Sequence, residues 1–125
     1  MRTRTYAPSD VLAALLGSAN VGMLTADSEK LQRAICTARD LCPLLDVFVF
    51  SERGLYPYSR TLDDAIGRLK LARVVRMENT DYRRFIITPE AKNYITEKIL
   101  PLFDAAERAS IEKAAAVVRE ATVEG

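Results

Sequence analysis

The chain has no histidine and only two cysteines. Without an imidazole, neither a Ser-His-Asp nor a Cys-His catalytic centre can be assembled. Two thiolates alone fall short of the four ligands of a structural zinc site, so no metal is expected. Cys36 and Cys42 lie six residues apart on or just after one helix, hence on different faces. They read as separate reduced thiols rather than a disulfide. Neither GxxxxGK[ST] nor GxGxxG occurs, which removes the common nucleotide-phosphate loops, and no cofactor is expected. Carboxylates are scattered over polar faces, with one adjacent pair, Asp63-Asp64. That pair falls in the first turn of a predicted helix, where the macrodipole favours negative charge. An enzyme is therefore not expected. No apolar run approaches the ~20 residues that span a bilayer, and the N-terminus MRTRTYAPSD lacks a signal-type apolar core. The expectation is a cytoplasmic protein with no membrane partner.

What is present suits a small folded domain. The chain has 125 residues, 49% of them hydrophobic and 28% charged. Ser9 can cap a first helix through Val11, Leu12, Leu15 and Leu16, which stops at Gly17. GSANVG then reads as a loop. Thr25 or Asp27 caps a second helix with Leu31, Ile35, Ala38 and Leu41 on one face, and Pro43 ends it. Val47-Phe48-Val49-Phe50 is too short for an independent helix and rich in strand formers, so a short extended segment is predicted. SERGLYPYS is a turn-rich connection. Thr88 starts a fourth helix to about Leu100, Pro101 kinks it or begins another, and residues 102–122 form a last helix. The predicted division is a domain over residues 1–100 and a C-terminal helix over 101–125.

Residues 59–88 carry the most information. Leu62, Ile66 and Leu69 give one apolar helical face. At Val74-Val75 the β-branched residues favour extended backbone. Glu78-Asn79-Thr80-Asp81 is a cluster of turn formers, and Tyr82 to Ile87 reads as a returning strand. Thr88-Pro89-Glu90 is a helix start. A helix running into a hairpin in this register is the sequence form of a winged helix. The predicted fold class is α+β, mainly helical: a winged helix-turn-helix with a two- to three-stranded small sheet and an added C-terminal helix.

Charge is unevenly placed. Residues 53–84 hold eight basic and four acidic side chains, +4 in all, on a chain whose total is +1. At 100° per residue the third helix turns Leu62, Ile66 and Leu69 inward. Arg60, Asp64, Gly67 and Leu71 point away, flanked by Asp63, Arg68 and Lys70. Strand alternation puts Phe85 and Ile87 on the inner face and leaves Arg84 and Ile86 outward. The candidate DNA contacts are Arg60, Arg68, Lys70, Arg73, Arg76, Arg83 and Arg84, with Arg76 and Arg84 the best placed for phosphates. Their alternative is cross-strand pairing with Glu78 and Asp81, or plain solvation. Arg2 and Arg4 form a short basic arm that could enter a minor groove or simply fray.

Leu62, Ala65, Ile66, Leu69, Val74-Val75 and Phe85-Ile86-Ile87-Thr88, in this order of elements, resemble the winged helix-turn-helix superfamily. Where many relatives carry a glycine between helix and wing, this chain has Leu71-Ala72-Arg73. Lys30-Leu31-Gln32-Arg33, Phe50 and Gly54 to Ser59 resemble Panacea-type domains and related bacterial winged-helix proteins. Those show a Leu-Gln-Lys helix and a Gly-Pro-Tyr-Ser turn; here Arg33 replaces the lysine and Tyr56 the glycine. The first resemblance implies a dimeric DNA-binding regulator. The second implies an antitoxin or adaptor that binds a protein instead. Tyr56 and Tyr58 are the candidate protein contacts on that reading. Ile111, Ala114, Val118 and Ala121 form a small-residue stripe on the last helix, which either packs on its own domain or pairs with a second copy as a homodimer.

Overall fold

The computed structural model describes residues 6–20, 22–77 and 84–122. The Arg2–Arg4 arm, the Glu78–Asp81 turn, Tyr82 and Arg83 lie outside the described residues. The protein is mainly helical, with a small three-stranded antiparallel sheet.

Helix α1 spans Pro8–Ala19 and is the central element, packed against four other helical segments. Val11 to Leu16 are six consecutive buried residues, the mark of a helix surrounded on all sides. It differs from the sequence expectation at both ends. Ala7, not Ser9, occupies the N-cap, because Pro8 at the first position supplies a preset φ and has no N–H to satisfy. The helix also runs through Gly17 and ends at Asn20, which takes the left-handed conformation at φ 53°. Gly17 serves packing instead: a Cβ there would sit 2.6 Å from Ile95 Cγ2.

Strand β1 (Met23–Thr25) follows, in a stretch too short for periodicity to reveal. Helix α2 (Ser28–Ala38) is capped by Asp27, whose carboxylate accepts the Lys30 N–H at 3.1 Å. Leu31, Ile35 and Ala38 are buried as expected, but Leu41 is exposed. The chain tightens to a 3₁₀ turn over Arg39–Leu41, and 3.0 residues per turn rotates Leu41 off the apolar face. A second 3₁₀ turn spans Pro43–Val47, so the extended segment expected at 47–50 begins only at Phe48, and no strand forms there. Phe48 enters the core while Val49 points into solvent. Extended pairing occurs just beyond, where Ser51 and Tyr58 exchange backbone hydrogen bonds of 2.8 and 3.0 Å.

Helix α3 (Arg60–Leu71) leads to β2 (Arg76–Met77) and β3 (Arg84–Ile86). The sheet order is β1-β3-β2, with Leu24 and Met77 both opposite Phe85. Thr88 caps α4 (Pro89–Tyr94) by accepting the Ala91 N–H at 3.2 Å. The helix widens to a π turn at Ile95–Ile99 and closes in a 3₁₀ turn around Pro101.

Helix α5 (Ala105–Thr122) opens with a reciprocal capping box between Asp104 and Glu107, both bonds 2.8 Å. It packs on α1 and α2. Ile111, Ala114 and Val118 are almost completely buried inside this one chain. Of the predicted stripe, only Ala121 is exposed. The stripe is therefore an internal packing face, and Ile111, Ala114 and Val118 are not open to a second copy.

A candidate interaction face on the third helix

Two anchoring devices hold α3. At its N-terminus, Ser59 Oγ accepts the Leu62 N–H at 3.2 Å. Buried Gln32 from α2 grips the same residue twice: its Oε1 accepts the Ser59 N–H at 2.8 Å and its Nε2 donates to the Ser59 carbonyl at 3.2 Å. At its C-terminus, Arg73 adopts φ 63° in place of a glycine. The Val74 N–H then reaches the Leu69 carbonyl at 2.9 Å and the Arg73 N–H the Lys70 carbonyl at 3.1 Å, the paired bonds of a Schellman cap. Leu62, Ala65 and Leu69 bury the inner face, and Ile66 is half-buried beside them.

The outer face is open. Arg60, Asp63, Asp64, Arg68 and Lys70 are exposed, and Leu71 is 87% exposed. A Cβ placed on Gly67 would meet nothing within 4 Å. A shallow depression of about 840 Å³ follows this face, lined by Asp63, Asp64, Gly67, Arg68, Lys70 and Leu71. Among the described residues no basic side chain forms an ion pair with Asp63 or Asp64. The Lys70 ammonium lies 5.5 Å from the Phe85 ring centroid, across the crossing of helix and ribbon.

On the ribbon, Arg76 and Arg73 are exposed, and Phe85 and Ile87 are buried as alternation requires. Arg84 is only half-buried rather than fully outward, since Thr25 of β1 lies opposite it in the sheet. The predicted basic residues thus divide into exposed Arg60, Arg68, Lys70, Arg73 and Arg76, and a partly covered Arg84.

The tyrosines behave differently from each other. Tyr56 is half-buried and its hydroxyl donates to Ser28 Oγ at 3.2 Å, tying the loop to α2. Tyr58 stays more open, and burial together with the neighbouring Asp63 carboxylate, which its phenol also bonds, holds it above the ordinary tyrosine pKa. Periodicity gave no warning of Leu55, which stands 94% exposed at the tip of the bridged loop while Arg33 donates to its carbonyl at 3.4 Å. It belongs to no helix or strand, where pattern reading has purchase.

Among the described residues, no group of three metal-ligating side chains occurs and no helix is long and apolar enough to cross a membrane. Compared with protein-family models, curated proteins and solved structures, the chain matches none of them.

Proposed function

We propose that this chain is a winged-helix module that binds another protein through the outward face of α3. The order α1, β1, α2, α3, β2, β3 and the sheet order β1-β3-β2 support the winged-helix reading, with β2 and β3 as the wing. One observation carries the choice of a protein partner: Asp63 and Asp64 stand exposed on the outward face, beside a bare Leu71. A DNA backbone laid there would meet two carboxylates, each repelled by about 1 kcal/mol per phosphate at 4 Å in water. A protein surface gains instead, because covering a leucine side chain contributes about 1.5–3 kcal/mol.

A photo-crosslinking residue at Leu71 in cells tests this, with Arg119 on α5 as the control position. Protein adducts at Leu71 and none at Arg119 are expected. Absence of adducts at Leu71 would remove the proposal.

DNA binding is the second reading, and it has its own support. Arg68, Lys70, Arg73 and Arg76 are all exposed where α3 meets the ribbon. On this reading generic duplex DNA binds at low salt and is released steeply as salt rises, through counterion displacement. Such binding, abolished by Arg73→Glu with Arg76→Glu, would displace the protein reading.

A further inference from the structure

The exposed face of α3 has a symmetry of its own. Asp63 and Lys70 are seven residues apart, two helical turns, and share one flank. Asp64 and Arg68 are four apart and share the other. Gly67 lies between the acids and Leu71, with open space over its Cα. Beyond Arg60 at the start of the helix, the acidic groups of this face therefore lie N-terminal to Gly67 and the basic groups C-terminal to it.

We propose that the partner of this face is a second copy of the same chain, its α3 lying antiparallel across Gly67; this rests on the protein-docking reading above. A two-fold axis between the helices at Gly67 reverses their direction but keeps each flank on its own side. Asp63 then meets Lys70 of the second copy, and Asp64 meets Arg68 of the second copy. Each pair occurs twice, because a two-fold interface repeats every contact. Each Leu71 comes to rest over the Gly67–Asp63 turn of the other helix. Gly67 on the axis lets the backbones approach closely, which gives this half-buried mid-helix glycine a role. Within its own chain it has none: its φ is not positive and no neighbour crowds it.

The contact is small. Two helices of 12 residues bury less than the ~1,600 Å² of a standard stable interface. Association is therefore expected to be weak, with a Kd on the order of 100 μM.

Sedimentation of the full chain over a concentration series up to about 1 mM tests it, with circular dichroism confirming that each variant folds. Wild type should shift from monomer to dimer. The basic-face variant (Asp63→Lys with Asp64→Lys) and the acidic-face variant (Arg68→Glu with Lys70→Glu) should each weaken self-association by about tenfold or more. Mixing those two should restore a dimer, since every cross pair is again of opposite sign. Gly67→Ala, which fits the open helix, should raise the melting temperature while weakening association. A wild type that stays monomeric throughout overturns the inference, and so does a dimer indifferent to these changes. Adducts at Leu71 to a different protein, with a monomeric wild type, would leave the docking reading standing and this inference lost.

Discussion

Gln32 and Ser59 hold each other in a closed ring of two hydrogen bonds, side-chain amide against backbone peptide, with both residues buried. The amide imitates a strand partner and fastens the middle of α2 to the start of α3. Gln32→Leu removes both bonds and strands a buried N–H and carbonyl, each costing about 1–3 kcal/mol. We expect a loss of about 2–4 kcal/mol in urea denaturation. A change below ~0.5 kcal/mol would mean the ring does not position α3.

Arg73 takes a left-handed conformation at φ 63° between α3 and the ribbon. A side chain in that region costs about 1–2 kcal/mol, and glycine avoids most of it at the expense of a more disordered unfolded chain. Arg73→Gly should therefore stabilise the protein by up to about 1 kcal/mol. Arg73→Val should do the reverse, because a β-branched residue fits that region worst. Thermal melting of the two variants reads the pair of signs directly.

Much of the fold is legible in the chain because its signals are local. Thr88 accepts the backbone N–H three residues on, as expected, and of the two candidate caps of α2 it is Asp27 that does the same; Ser59 caps α3 in the same way. The alternation that buries Phe85 and Ile87 needs nothing beyond strand period. What escaped the reading depends on distant partners. Gly17 reads as a helix stop, yet Ile95, far along the chain, decides its role. β1 is a strand only because β3 lies beside it. For the candidate face, helical periodicity places Gly67 and Leu71 outward; the grip of Gln32 on Ser59 and the exposed Leu55 have no periodic signature.

Burial of the α5 stripe makes a different prediction from an exposed dimer face. Ile111 is fully enclosed within its own chain. Ile111→Ala should cost about 2–5 kcal/mol through lost transfer energy and a residual cavity. It should leave the association behaviour of the folded chain unchanged. Chemical denaturation with sedimentation separates these outcomes. A variant of undiminished stability but altered mass would return the stripe to the surface.

Tyr58 links the loop to α3 electrostatically. Burial raises its pKa above 10.0, and the Asp63 charge and hydrogen bond raise it further. The folded state thus holds the phenol proton more tightly than the unfolded chain does. The resulting stabilisation is complete below pH 10.0, the unfolded value, and is lost as pH climbs through the folded pKa. Tyr58→Phe should therefore lose less stability than wild type across that alkaline window, measured by urea denaturation at successive pH values. Asp63→Asn removes the charge but not the burial, so the tyrosinate absorbance assigned by difference to Tyr58 should appear at lower pH, still above 10.0. An unchanged Tyr58 titration in Asp63→Asn would break the connection between the loop and the acidic end of the helix face.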